Sequence, residues 1–296
     1  MPFEMRSRFY YWNQRRSWPP GGPVTFTQKV VRKMALDRRP LLTTFADKVA
    51  VRDYVAGAVG SEVLPRLHAV VADPAELELS VLPAEFVVKP SHASGMIWIV
   101  GDRAHAPGLD SGESARLSGG IFTTTRRGLD RDQLVATCRT WLKIRYADVE
   151  LEWAYRDVPP RIMVEELLLG RDGHIPPDYK LYVFDGRVRL VQVNSDRFTS
   201  HRVNLFRPDW TPVDASVVYP PAEPAPARPD SLDEMVHIAE TLGKETDFVR
   251  VDLYDVDGRI VFGELTSNPG GGRQAFSPES FDVELGGYWN APQHYR

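Results

Sequence analysis

The chain has 296 residues, of which 43% are hydrophobic and 26% charged, and it is long enough for about one to three domains with a sizeable core. A formal net charge of −4 argues against a general attraction to nucleic acid or to acidic membranes, although a local basic patch is not excluded. The single cysteine, Cys138, rules out an intrachain disulfide and fits a reducing compartment.

The beginning of the chain, residues 1–18, is basic and aromatic but lacks the apolar core of a signal peptide. No apolar run reaches the roughly 18 residues that a membrane span needs. We therefore expect a cytoplasmic protein with no membrane span and no nucleic-acid partner. The sequence leaves its oligomeric state open.

The N-terminal part is mostly helical by its pattern. Apolar residues at helical spacing predict helices over residues 26–39 and 45–59, and Gly60 ends the second. Residues 61–85 have the composition of short strands and connections.

The middle of the chain alternates between strand-like and helical patterns. Runs at 85–90 and 96–102, joined by the small polar segment SHASG, predict a hairpin. Composition predicts a loop over 103–120, and periodicity predicts a helix over 130–146. A strand is expected at 161–169, where two glutamates interrupt an apolar run.

The C-terminal part is dominated by hairpins. Residues 178–198 predict a hairpin around an Asp-Gly turn, and the proline-rich stretch 219–230 is expected to be a surface connection. A helix over 231–243 begins at Ser231, a candidate N-cap. With the hairpin at 250–266, this order of elements predicts an α+β fold with largely antiparallel sheets.

The last hairpin is followed by a glycine-rich loop in the segment RVDLYDVDGRIVFGELTSNPGGG. A three-residue turn at 256–258, which we prefer, places Arg250, Asp252 and Glu264 on one face. A two-residue turn would place the two carboxylates on opposite faces. Neighbouring carboxylates inside a fold need a cation and suit Mg²⁺, whereas outward-facing strand residues are the alternative.

Two further segments have residues that suit nucleotide binding, and a third places a lysine on a strand; each is also compatible with ordinary surface. In VVKPSHASG, Lys89 and the loop after it can cradle phosphate. In VEELLL, the strand edge can bind adenine, with Glu165 accepting from its amino group and Asp172 reaching the ribose. In PPDYKLYVFDG, Lys180 shares a strand face with Tyr182.

Taken in order, the motifs DKVAVRDYV, VVKPSHASG, VEELL, DYKLYVFDG and the last hairpin resemble the ATP-grasp superfamily. They are most similar to the TupA-like ATP-grasp family, associated with polysaccharide and teichuronopeptide biosynthesis, over about residues 45–272. The resemblance implies an ATP-grasp fold in which two α+β subdomains with antiparallel sheets sandwich ATP. The boundaries expected are a short, mostly helical N-terminal region at 1–84, a first subdomain at 85–166 and a second at 167–296.

The resemblance also implies site residues. Lysines and a loop would hold the phosphates, namely Lys48, Lys89, Ser91, His92, Ser94, Gly95 and, at the γ-phosphate, Lys180. A strand end would hold the adenosine, namely Glu165, Glu166, Leu168 and Asp172. Asp252 and Glu264 would bind Mg²⁺, and Arg250 would stabilise the anionic intermediate. Many members have Asn two residues after the metal-binding Glu; here Thr266 stands there and Asn268 follows, so the remaining ligand is open.

The activity implied is that of an ATP- and Mg²⁺-dependent carboxylate–amine ligase. It would form an amide through an acyl phosphate, on a polysaccharide precursor or a small natural product. Arg197, His201, Arg202 and Arg273 are candidates for binding the small-molecule or saccharide acid and amine. The alternatives are an ATP-grasp phosphotransferase acting on a hydroxyl and a nucleotide-binding protein without turnover.

Overall fold

A computed structural model describes residues 1–101, 114–117, 120–196 and 200–295, with backbone alone for 114–117. The helices are α1 (Phe3–Arg15), α2 (Phe26–Leu36), α3 (Pro40–Ala46), α4 (Val51–Val59), α5 (Arg131–Leu142), α6 (Tyr146–Glu150), α7 (Leu232–Leu242) and α8 (Glu279–Gly287). The strands are β1 (Leu67–Val71), β2 (Phe86–Pro90), β3 (Ile97–Val100), β4 (Ser114–Leu117), β5 (Ile121–Thr124), β6 (Ile162–Glu165), β7 (Asp178–Phe184), β8 (Arg187–Ser195), β9 (Arg202–Phe206), β10 (Phe248–Val256) and β11 (Arg259–Thr266). In this described part, no helix combines the length and the apolar character needed to cross a bilayer.

The first sheet has the strand order β1-β6-β2-β3-β5-β4 and is antiparallel except for the β3–β5 pair. Helix α5 covers one of its faces. Leu134, Cys138 and Trp141 of α5 are buried in one cluster with Phe86 and Trp98 of the sheet. Burial raises the pKa of the Cys138 thiol to about 12, so this cysteine is a packing residue and not a nucleophile.

The second sheet has the order β11-β10-β7-β8-β9 and is antiparallel throughout. Alternation along β7 sends Leu181 and Val183 to one core and Tyr182 and Phe184 to another. The first core contains α7. The second is aromatic and contains Phe26 of α2. Both faces of the central strands are therefore buried, and a polar residue on them needs a partner.

Helix α2 is tied to the second sheet by a buried set of charges. The Nζ atom of Lys33, which is fully buried, lies 2.8 Å from carboxylate oxygens of both Asp37 and Asp247. Arg39 pairs with the same two carboxylates at 2.5 and 2.6 Å. Trp289, beyond α8, donates to Asp247 at 2.8 Å. Two cations thus balance two carboxylates, as burial requires.

The predicted helices and strands are present, with shifted ends. The helix expected over 26–39 ends at Leu36, because Asp37 is extended and Pro40 opens α3. The helix expected over 45–59 is divided between α3 and α4. Residues 1–18, left unassigned from the sequence, contain α1.

Two other expectations need correction. Of the loop predicted over 103–120, residues 114–117 form β4, and most of the rest lies outside the described residues. Ser231 stands at the start of α7 but does not cap it with its side chain, because its hydroxyl donates to Asp255. The boundaries at 84 and 166 stay a prediction; β1, which precedes the first, pairs with β6.

The last hairpin turns on two residues and not on three, so the preferred register was wrong. Val256 pairs with Arg259, and Asp257 and Gly258 have φ values of 53° and 94°, as a type I′ turn requires. A bulge at Gly263 then shifts the pairing by one residue. The shorter turn and the bulge each change the face on which Glu264 lies, so together they leave it on the predicted face.

As a result, Asp252 lies directly opposite Glu264, and both side chains are on the same face of the sheet. The sequence analysis predicted this shared face, but from a three-residue turn. A Cβ atom at Gly263 would lie 3.0 Å from the Tyr254 ring and 3.1 Å from the carbonyl oxygen of Asp252. The bulge therefore has little room for a side chain.

Helix α8 offers a matched test of close packing. A Cβ at Gly286 would lie 2.1 Å from the carbonyl oxygen of Val24, whereas a Cβ at Gly287 would meet nothing within 4 Å. We expect Gly286→Ala to lower the free energy of unfolding by about 1–3 kcal/mol, because backbone must move. Gly287→Ala should change it by less than about 1 kcal/mol. Urea unfolding followed by circular dichroism measures both, and equal losses would contradict the packing.

Candidate active site

A cavity of about 520 Å³ lies between the two sheets. The first sheet lines it with apolar side chains, including Val87, Ile97 and Ile99. Across from them lie Asp252 and Glu264 of the second sheet. One wall suits a flat apolar group and the other suits charged groups, which is the division that a nucleotide needs.

Two lysines reach this cavity from the first sheet's side. Lys89, on β2, forms a salt bridge with Glu165 on β6. Lys48, between α3 and α4, donates to the carbonyl oxygen of Ala93 at 2.5 Å. Burial lowers the pKa of Lys48 to about 8, and Glu264 opposes that shift. Lys48 is therefore a cation whose charge is only partly balanced.

The charged wall is a buried network on β7, β10 and β11. Arg250 donates to both carboxylate oxygens of Asp252, at 2.6 and 2.7 Å, and to Glu264 at 3.0 Å. Lys180 forms salt bridges with Asp252 and, at 2.6 Å, with Asp178. The pairing of Asp252 with Lys180 and of Asp252 with Glu264 across neighbouring strands brings all five side chains to one face.

The network leaves its carboxylates in excess of its cations. Burial disfavours charge on Arg250, yet Asp252 outweighs that effect and raises the pKa of the guanidinium. Burial also disfavours the charged form of Glu264, but Arg250, Lys180 and Lys48 lower its pKa well below the usual range. Glu264 is thus a carboxylate at neutral pH, and with a side chain 35% exposed it is the member open to the cavity.

The two candidates for a further metal ligand differ in their surroundings. The hydroxyl of Thr266 donates to Glu264 and accepts from Arg250, each at 3.0 Å, so its hydrogen and one of its two lone pairs are already in use. The amide nitrogen of Asn268 donates to Glu152 at 3.0 Å. Its Oδ1 atom is buried and meets no hydrogen-bond donor among the described residues. Asn268 is therefore the better candidate for a metal ligand, because its oxygen has no hydrogen-bond partner among these residues.

These residues fit a magnesium ion. Mg²⁺ is commonly held by one or two carboxylates, with other oxygens completing its shell. Asp252 and Glu264 would supply the carboxylates, and the unpartnered oxygen of Asn268 would supply a neutral ligand. Among the described residues, no three His, Cys, Asp or Glu side chains converge on a metal position, so substrate oxygens would have to contribute.

A second cavity, of about 490 Å³, lies on the other side of the network. Glu264 lines both cavities, whereas Asp252 lines only the first and Arg250 only the second. Glu152 and Arg273 line the second one only. The network therefore forms a wall between two compartments.

The sequence analysis missed Glu152. Burial raises the pKa of Glu152 to about 7, and the hydrogen bond from Asn268 opposes that shift. Its segment, ELEWAYRDV, has no recognisable motif. Only the fold shows that Glu152 is buried against a cavity.

Several predicted phosphate and nucleotide residues lie elsewhere. Ser91 is fully buried, and its hydroxyl donates to the Pro159 carbonyl and accepts from the Arg161 amide. His92 is buried too, and burial lowers its pKa, so its imidazole is neutral. Ser91 and His92 are thus placed as structural residues, whereas Ser94 and Gly95 of the same loop line the first cavity.

The predicted adenosine residues are divided in the same way. Glu165 and Leu168 line the first cavity. Glu166 also lines it, but its carboxylate is bound by Arg259 at 2.9 Å. Asp172 is exposed, and its carboxylate accepts from the His174 amide in its own turn, which leaves it poorly placed for a ribose.

Of the predicted acceptor residues, two line the second cavity. Arg273 does so while paired with Glu150, and His201 does so with its ring 4.0 Å from that of Tyr219. Arg202 on β9 points to the opposite face from Val203, which lines the cavity. Arg197 lies outside the described residues.

Two sheets that enclose a cavity, with lysines on one side and a carboxylate network on the other, define an ATP-grasp protein. The family model described as TupA-like ATPgrasp matches residues 28–290, and the chain belongs to that family. The predicted family and the predicted α+β ATP-grasp fold are therefore confirmed.

Solved ligases have similar folds. They include D-alanine–D-alanine ligase from Bacillus anthracis in complex with ATP (15% identity, 78% of this chain, 56% of that chain, TM-score 0.42). VanG D-Ala:D-Ser ligase from Enterococcus faecalis is matched at 15% identity over 84% of this chain and 61% of that chain, with TM-score 0.42. L-amino acid ligase from Bacillus licheniformis is matched at 15%, over 83% and 46%, with TM-score 0.41. The chain thus spans 46–61% of these ligases' lengths. No curated protein matches it.

The charge network predicts how the site contributes to stability. Replacing Lys180 with Met leaves Asp178 and Asp252 short of a buried cation. We expect Lys180→Met to lower the free energy of unfolding by about 3–5 kcal/mol, measured by urea denaturation. Lys244→Met, at an exposed position after α7, is the control and should cost less than about 0.5 kcal/mol. A Lys180→Met variant as stable as the control would show that the network does not need this cation.

Proposed function

We propose that the chain is an ATP- and Mg²⁺-dependent carboxylate–amine ligase that forms an amide bond with release of ADP and phosphate. The observation that carries the proposal is the wall shared by the two cavities. Glu264 lines both compartments, whereas Lys180 and Arg250 line only the second. A phosphoryl donor on one side and an acid on the other would meet at these charges.

The first cavity would hold ATP. The aliphatic wall of the first sheet would pack on the adenine, with Glu165 and the strand end through Leu168 beside it. Lys48 and Lys89 would contact the phosphates, and Gly95, whose φ is 77°, would allow close approach of backbone. We leave Ser91 and Asp172 out of this site because their side chains are hydrogen-bonded elsewhere, and His92 because it is buried and does not line the cavity.

Asp252, Glu264 and Asn268 would hold Mg²⁺, which supplies positive charge to the transferring phosphoryl group. Lys180, now salt-bridged to Asp252, would turn toward the γ-phosphate. Thr266, bonded to both Glu264 and Arg250, would hold those two side chains in register.

The second cavity would hold the acid and the amine, on a polysaccharide precursor or a small natural product. The acid would take the phosphoryl group and become an acyl phosphate, and the amine would displace phosphate from its carbonyl carbon. Arg250, fixed by Asp252, would stabilise the oxyanion formed in that attack. Arg273 and Glu152 supply one cation and one carboxylate for the two substrates.

The products of turnover test the proposal. Incubation with ATP, Mg²⁺ and pools of acids and amines should release ADP and free phosphate together with an amide. Glu264→Gln should lower turnover by at least about 100-fold, because a charged ligand is lost. Glu279→Gln, at an exposed position on α8, is the control and should retain full activity.

Other product patterns would contradict the ligase. ADP with a phosphorylated product and no free phosphate would indicate a phosphotransferase, and AMP with pyrophosphate would contradict both. A fully active Glu264→Gln enzyme would remove Glu264 from the metal site and leave the ligase itself standing.

The pKa of Lys48 predicts a pH dependence of ATP binding. Below pH 8 Lys48 is charged and attracts phosphate; above it, the free protein loses that charge. The dissociation constant for ATP, measured by calorimetry, should therefore rise between pH 7 and 9, by at most about tenfold per pH unit. Lys48→Met should bind weakly at pH 7 and lose the slope, whereas Lys244→Met should keep the native profile. A flat native profile, or a slope that survives in Lys48→Met, would exclude Lys48 as the phosphate ligand.

A further inference from the structure

Helix α1 presents an apolar stripe to solvent. Met5, Phe9 and Trp12 are spaced i, i+4 and i+7, so they lie on one face of the helix. Their exposed fractions are 55%, 62% and 55%. We call these three residues the outer face of α1. Side chains of these types are usually buried, yet here they are exposed to solvent at three successive turns of the helix.

The inner face of α1 is anchored to the rest of the protein. Ser7 is buried, and Arg6 donates to the carbonyl oxygen of Asp148 at 2.5 Å. Glu4 pairs with Arg38 at 3.8 Å and with Arg156 at 3.7 Å. The helix is therefore held in one orientation, and the exposure of its outer face is not due to a detached terminus.

Positive charge borders the outer face. Residues 1–18 contain four arginines and one glutamate, although the whole chain has a net charge of −4. Arg8, Arg15 and Arg16 are exposed. Among the described residues, no carboxylate lies within salt-bridge distance of these three. Arg16 instead lies over the Trp12 ring, 5.0 Å from its centroid.

We propose that α1 docks on the surface of an anionic lipid bilayer through its outer face. Interfacial helices combine Trp and Phe on one side with Arg or Lys beside them, and bind by apolar burial together with attraction to anionic headgroups. The stripe is narrow and convex, so it fits a deformable surface better than a flat protein partner. With 13 residues, α1 is also too short to span a bilayer and can only lie on it.

Docking there would place the second cavity near the bilayer. Tyr10, on the inner side of α1, is close enough to Arg273 for the two groups to interact electrostatically, and Arg273 lines that cavity. Membrane docking itself does not depend on the ligase proposal, because it needs neither ATP nor a substrate.

Cosedimentation of the full chain with vesicles tests the docking. We expect binding to vesicles of phosphatidylglycerol and phosphatidylcholine, at least tenfold weaker binding to phosphatidylcholine alone, and weaker binding as salt is raised. The triple variant M5Q/F9Q/W12Q should lose at least tenfold in affinity. R8Q/R15Q/R16Q should lose as much and should also lose most of the salt dependence.

The controls use equally exposed residues elsewhere. V81Q removes an apolar side chain that is 73% exposed, and R139Q/R187Q/R228Q removes three surface arginines; both should bind as the native chain does. Unchanged melting temperatures would show that all variants are folded. Failure of the native chain to bind, or equal binding by M5Q/F9Q/W12Q, would overturn the proposal. Self-association that M5Q/F9Q/W12Q abolishes, without vesicle binding, would assign the face to a second copy instead.

Discussion

Charge balance on one face of the second sheet is the constraint on which the rest of the structure depends. Asp178, Asp252 and Glu264 are brought together by strand pairing, and burial would make their mutual repulsion costly. Arg250 and Lys180 stabilise them, but two cations do not balance three carboxylates. The remaining negative charge suits a divalent cation, so the same excess that burdens the fold defines the candidate active site.

The two ends of this face of the sheet lie in different environments. The far end of the same sheet face is aromatic and closes against Phe26, which excludes water from that side. The near end opens into two cavities that share the charged wall. Lys48 approaches from the other side, and burial lowers its pKa, so a negatively charged partner would stabilise its charged form. The arrangement is therefore suited to an anion beside Lys48 and to a cation beside the carboxylates, so an anion that carries a divalent cation would offset both imbalances.

The sequence predicted the α+β fold, both Asp-Gly hairpins and the carboxylates at 252 and 264, because alternation and turn residues are local signals. It failed where the outcome depends on distant neighbours. Ser91 reads as a phosphate ligand until Pro159 and Arg161 are seen to bind its hydroxyl. Glu152 reads as a surface residue until the fold buries it. Family resemblance places a residue type near a site, but only packing decides which side chains are free to act there.

The bulge at Gly263 limits the insertions and deletions that this hairpin can accept in evolution. A two-residue turn followed by a bulge places Glu264 on the same face of the sheet as Asp252, and a three-residue turn in a regular hairpin would do the same. One inserted residue at the turn is therefore tolerable only if one residue is lost at the bulge. Either event alone would send Glu264 to the opposite face from Asp252. Gaps at these two places in related chains should occur as pairs, and a chain that has only one of them should no longer have its two carboxylates on one face.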